Sequence, residues 1–298
     1  MLRRLLVVAS ATVASCVPAD EAIGLGSVSF TVTASRNTIH GFTTSDSWRI
    51  DFQRVLLGFR TMTIGKIGVS DQCSYRGRGA VSDTVFDPRL GIVQTFNGIE
   101  PTECPDVGIV FTPPGDTTTV GPGARSSDLV FLSADGPSAH AYIEATAKGV
   151  RTFGGPEEEI RLVLRFDTTR TSSRFGGCRT ATRGIRIKEG VRDEATVTFG
   201  AEHLFHEAVS LSAATRFAPF LRADTDFGNA DGVVTMDDLD KLSLSLIASE
   251  TIFAGDTYRL PDGTIRASFG DYVRALFRFT IGFRAQGVCV GNEPGTEE

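Results

Sequence analysis

Apolar and polar residues alternate in short runs along most of the chain. Ser27–Thr33, Trp48–Phe52, Ala141–Ala147, Ile160–Phe166, Gly184–Lys188 and Ala195–Phe199 all follow a period of two. That period sends successive side chains to opposite faces, and these runs are rich in β-branched and aromatic residues, so they predict half-buried strands. Turn chemistry lies between them, at Thr112–Asp116, Gly121–Gly123, Asp135–Pro137 and Phe153–Pro156, where Gly and Pro supply the backbone angles that reverse a chain. Many short strands with such punctuation predict a mainly β fold, an antiparallel β-sandwich. Two later stretches read differently. Thr235–Ile247 places Leu239, Leu242 and Leu246 on one helical face behind Thr235, a capping residue with Asp238 three positions on. Asp271–Phe283 is ambiguous: Asp271 suits a helix cap, whereas Phe277, Phe279, Ile281 and Phe283 alternate as a strand would. Helix is the preferred reading there, giving a smaller helical C-terminal portion.

The first residues have another pattern. Arg3 and Arg4 precede an uncharged, apolar run from Leu5 to Ser15. At about 1.5 Å per residue this run covers roughly half of a bilayer, so it reads as a secretory leader rather than a span. Val13-Ala-Ser-Cys16 resembles the lipobox of bacterial lipoproteins, an aliphatic residue and two small residues before a cysteine. The resemblance implies cleavage after Ser15 and lipidation of Cys16. With Val17 rather than Asp after the cysteine, it also implies an anchor at the outer membrane or cell surface. An ordinary signal peptide cut near Ala14 or Ala19 is the alternative. The expected organisation is a signal peptide over 1–15, a tether over 16–26 and a single domain over 27–298.

Composition narrows the possibilities. Across 298 residues, 41% hydrophobic and 22% charged with 21 Phe, there is too much apolar surface for a disordered chain. The formal charge of −6 and the lack of a dense basic stripe argue against a nucleic-acid partner. The arginines at 161, 165, 170, 174, 179, 183 and 186 alternate along predicted strands and read mostly as a solvated face. Trp48, beside a strand pattern, reads as core. Beyond Cys16, four cysteines remain, Cys73, Cys104, Cys178 and Cys289. An even number in an exported chain predicts two disulfides. Three pairings are possible; Cys73–Cys104 with Cys178–Cys289 is favoured, because the first two lie in neighbouring loop-like stretches. No C-x-x-C or Cys/His spacing supports a zinc alternative for them.

The richest candidate for chemistry is Asp224–Leu239 (DTDFGNADGVVTMDDL). Oxygen donors at alternate positions around a turning glycine suit a hard divalent cation. Counting from Gly232, Asn229 and Asp231 take the third and fifth places, Val233 offers a backbone carbonyl, and Thr235 and Asp238 fall at the ninth and twelfth. This resembles an EF-hand loop, and more closely the dockerin type, whose closing acid is Asp. The resemblance implies calcium as the cofactor. The first place falls on Phe227, so Asp226, one residue early, or Asp224 would have to serve. The 224–247 loop and helix occur once, so the paired opening of calcium sensors is not expected. A second candidate is Glu202-His-Leu-Phe-His-Glu207. On a helix His203 and His206 would share a face and could hold zinc or copper; on a continuing strand they would face apart. Ordinary loop-edge histidines are the competing reading. The order matches neither H-E-x-x-H nor H-x-x-E-H, and G-x-S-x-G, P-loop and dinucleotide motifs are missing, so no catalytic residue is nominated. The expectation is a non-catalytic, lipid-anchored surface or periplasmic module that binds a surface ligand or protein and is braced by one calcium; a periplasmic copper or zinc binder using His203 and His206 is the alternative.

Overall fold

The computed structural model describes residues 24–64, 83–99, 102–104, 107–133, 138–151, 154–179, 185–210, 212–248, 258–259, 267–284 and 287–291. The first half contains β1 (Gly26–Ala34), α1 (Arg36–His40), β2 (Phe42–Thr43), β3 (Arg49–Ile64), β4 (Thr84–Phe86), β5 (Ile92–Ile99), β6 (Thr102–Cys104), β7 (Val107–Phe111), β8 (Thr119–Val120) and α2 (Ser126–Ser133). Then come β9 (Ala139–Val150), β10 (Glu157–Asp167), β11 (Arg174–Arg179), β12 (Ile185–Ile187) and β13 (Arg192–Phe199). The remainder is α3 (Ala218–Arg222), β14 (Val233–Thr235), α4 (Met236–Lys241), α5 (Leu244–Ala248), α6 (Phe269–Phe277), β15 (Ile281–Phe283) and β16 (Gly287–Gly291). Each of the six alternating runs contributes to a strand. In β1 the alternation is clear: Val28, Phe30 and Val32 are fully buried while Thr31 faces solvent.

Fourteen of the strands form one sheet, whose main path runs β14-β10-β9-β3-β7-β11-β16-β15-β13-β1-β5. The ring of Phe277, on α6, lies 4.7 Å from Phe166 of β10, 6.1 Å from Phe175 of β11 and 5.9 Å from Phe199 of β13. Six strands separate β10 from β13 along the path, so a single ring can reach both only because the sheet curls around the helix. The two limbs share one apolar core that extends in sequence from Val28 to Cys289. A smaller cluster, with Leu56, Val85, Leu132, Ala139 and Tyr142, fills the space beneath α2 on the outer face.

The class is mainly β with helices gathered toward the C-terminus, as the alternation predicts, and three details are corrected. First, β1/β13, β10/β14 and β4/β8 pair in parallel, whereas the other ladders are antiparallel. Parallel neighbours need a long connection between them, and the long excursions of chain between these strands provide it. Second, Asp271–Phe283 is not one helix. Ser268 caps α6, with Asp271 at the third helical position completing a reciprocal capping box; the helix ends at Phe277 and β15 follows. Third, Thr235–Ile247 is broken at Leu242, whose extended backbone (ψ 117°) separates α4 from α5. Among the described residues no helix is long and apolar enough to cross a membrane.

Cys178 and Cys289 are joined by a disulfide between the adjacent strands β11 and β16, and both are fully buried. Cys16 and Cys73 lie outside the described residues, as do the leader and most of the tether. The backbone of Cys104 belongs to β6, but its favoured pairing with Cys73 cannot be followed there.

Candidate functional site

The Asp224 segment begins where α3 runs into a single wide π-type turn, Ala223–Phe227. The Asp224 carbonyl accepts from the backbone N–H groups of Gly228 and Ala230, both at 3.1 Å. The Asp224 carboxylate is almost wholly buried and accepts from the N–H groups of Asp231 (3.2 Å) and Gly232 (3.1 Å). Asp231 accepts from Val233 N at 2.9 Å through one oxygen and from the Asn229 amide at 2.9 Å through the other. Gly232 sits at φ 80°, the left-handed region where a side chain is costly. Val233 then enters β14, opposite Arg161 of β10, with Val234 fully buried beneath it. Thr235 caps α4 in a capping box with Asp238, as its spacing predicts. The second Asp238 oxygen accepts from Lys241 Nζ at 3.2 Å.

Gly228 explains how this loop closes. A β-carbon there would lie 2.8 Å from both the Asp224 carbonyl oxygen and Asp238 Oδ1, so only glycine lets the closing acid pack against the opening turn. Asp226 turns away and pairs with Arg222 at 3.0 Å. The segment therefore brings Asp224, Asn229, Asp231, Thr235 and Asp238 into one hydrogen-bonded loop and excludes Asp226. Among the described residues no three His, Cys, Asp or Glu side chains form a group arranged to hold a metal ion. What this arrangement does mechanically is tie α3 and α4 to the β14 edge of the sheet.

His203 lies in a 3-10 turn, Ala201–Phe205, that follows β13, and His206 caps the end of that turn, its N–H donating to the His203 carbonyl. Three residues per turn place positions three apart on one face, and the rings of His203 and His206 lie 4.9 Å apart, nearly perpendicular at 86°. The turn is held from behind: Glu202 accepts from the hydroxyls of Ser35 (2.7 Å) and Thr38 (2.8 Å), and Thr38 Oγ1 accepts from Ala201 N at 2.8 Å. His206 Nδ1 is 2.7 Å from the Ser210 carbonyl oxygen. A carbonyl only accepts, so Nδ1 carries the proton and the lone pair resides on Nε2. The Cδ2–Nε2 edge of His203 packs over Gly200, where a β-carbon would come within 2.7 and 2.9 Å of those atoms. The opposite nitrogen, Nδ1, is buried without a hydrogen-bond partner. Burial lowers the pKa of both imidazoles; for His206 the neighbouring His203 adds to the depression, and the Glu202 charge offsets part of it for both. Tyr272, from α6, donates to the His206 carbonyl at 3.0 Å and fixes the end of the turn.

Two further features were not read from sequence. Arg274, only 6% exposed, forms a two-pronged pair with Asp240 at 2.6 and 2.9 Å, and Arg170 bridges Asp240 and Asp271 at 2.9 and 2.8 Å. This knot of alternating charges locks α4 onto α6; the only local signal is the Asp271/Arg274 spacing of three. His140 lies wholly inside the core, edge-on to Phe277 at 5.4 Å. Trp48 is buried against Phe217 at 4.7 Å and is core, as expected. No family model, no curated protein and no solved structure matches the chain.

Proposed function

We propose that this chain is exported, lipid-anchored through Cys16 at the outer membrane or cell surface, and acts there as a binding or structural module rather than as a catalyst. The observation that carries this reading is the fully buried Cys178–Cys289 bridge: such bonds persist in oxidising compartments and are rare in reducing cytosol. It agrees with the leader, in which Val13-Ala-Ser-Cys16 follows an uncharged run too short to span a bilayer. An open hollow lined by Thr31, Thr33, Leu90, Val93 and Gln94 offers mixed polar and apolar surface to an outside ligand. Calcium enters the proposal as an added brace of the Asp224–Asp238 loop. The loop already spends its carboxylates on its own N–H groups, so an ion would have to redirect Asp231 and Asn229 and would not be required for folding.

The test is expression of the full precursor in a bacterium that processes lipoproteins, fed a clickable fatty acid. The expected result is a labelled, membrane-associated protein, with label lost and the protein released when Cys16→Ser is introduced. Undiminished labelling of Cys16→Ser would overturn the anchor.

A further inference from the structure

We propose that His203 and His206 are the two protein ligands of a zinc site, completed by water or by a side chain of whatever docks on this face. The inference does not rest on the lipid anchor. It starts from the buried, partnerless Nδ1 of His203. A buried nitrogen without a partner costs free energy in either tautomer and asks for a cation, a water or a proton. The nearest ring is His206, whose Nδ1–H is committed to Ser210 and whose Nε2 lone pair is therefore free to ligate. A hydrogen bond from the far nitrogen to a backbone carbonyl is how ligating histidines are commonly oriented.

Distance excludes a linear ion between the two rings. With a bond of about 2.0–2.1 Å from zinc to nitrogen, an ion sits about 3.2 Å from each imidazole centroid. An ion at which both lone pairs point would see centroids 4.9 Å apart at roughly 100°, compatible with the tetrahedral angle that zinc adopts. A linear two-coordinate copper(I) ion would need centroids about 6.4 Å apart by the same construction. Among the described residues no third His, Cys, Asp or Glu joins the pair, so the proposal assigns the other two positions to water or to the docking partner. Glu202 is held by Ser35 and Thr38 and keeps the turn in place.

The experiment uses the mature chain with its disulfide intact, stripped with chelator and labelled with 15N-histidine. Zinc is titrated by calorimetry and by histidine-detected NMR. One equivalent of zinc is expected to bind, moving the His203 Nδ1 and His206 Nε2 resonances. His203→Gln and His206→Gln should each weaken binding by about tenfold or more, whereas Asp231→Ala should leave it unchanged. Zinc that fails to move the wild-type ring nitrogens, as expected if a structural water alone satisfies His203, would overturn the proposal, and this readout needs no variant to fold. Equal binding by the His203→Gln/His206→Gln double variant would overturn it too.

Discussion

At the scale of single residues, the fold depends on a few positions whose identity follows from how closely other groups approach. Gly228 admits Asp238 to the start of its loop and Gly200 admits the His203 ring. Neither requirement shows in a sequence, because the colliding atoms, though only three to ten residues away, are brought close by the way the turn folds. His140 is a sharper case. Desolvation lowers its pKa from 6.5 to about 4, and the nearby Asp167 charge and the Ser172 backbone offset only part of this. The unfolded chain then takes up a proton below about pH 6.5 that the folded chain refuses until about pH 4, so stability falls across that window. The loss from this group amounts to about 3 kcal/mol. Urea unfolding of wild type and His140→Gln at pH 7 and pH 4.5 checks it: the acid-induced loss should be smaller in the variant, and an identical loss would remove His140 from the account. The alternation that reveals β9 did not reveal this histidine. The strand is covered on both faces at its start, by the central core and by α2, so the period of two fails from Ala139 to Ile143, where every residue is buried.

At the scale of elements, local chemistry was legible and boundaries were not. Thr235 with Asp238 announces α4 directly because the capping box is a contact between near neighbours. Phe277, Phe279, Ile281 and Phe283 mislead because the run straddles two elements: Phe277 is the last helical residue, and Ile281 and Phe283 share the inner face of β15. In the Asp224 loop the spacing picked out residues that share one hydrogen-bonded loop, yet could not show that Asp224 rather than Asp226 faces inward. Asp224→Ala leaves two loop N–H groups without acceptors and is expected to destabilise the protein by about 2–4 kcal/mol, measured by urea unfolding after chelation. Calcium added to the chelated wild type should raise its melting temperature, and the rise should vanish in Asp231→Ala. A melting temperature indifferent to calcium would leave the loop as a brace held by its own hydrogen bonds.

At the scale of the whole molecule, the class was legible and the order of strands was not. Alternation says that a strand has one buried face, but says nothing about which strand lies beside it, and the parallel neighbours β1 and β13 pair residues as far apart as Ser27 and Arg192. The pairing of Cys178 with Cys289 spans 111 residues of chain and removes loop-closure freedom from the unfolded ensemble. Cys178→Ala/Cys289→Ala should lower the unfolding free energy by about 3–5 kcal/mol, read from denaturant curves against the oxidised wild type; a shift under about 1 kcal/mol would show that the bridge is incidental to stability. The place of β16 and α6 has a further implication. Late in sequence, they are central in space: β16 separates β11 from β15 in the sheet, and Phe277 is the ring against which both limbs close. A nascent chain that has emerged only as far as β13 lacks both the strand and the ring that join its limbs, and its core is expected to close only when they arrive. Under the proposed export, a polypeptide whose core closes only when its last strands arrive is one that a translocation channel could still thread across a membrane.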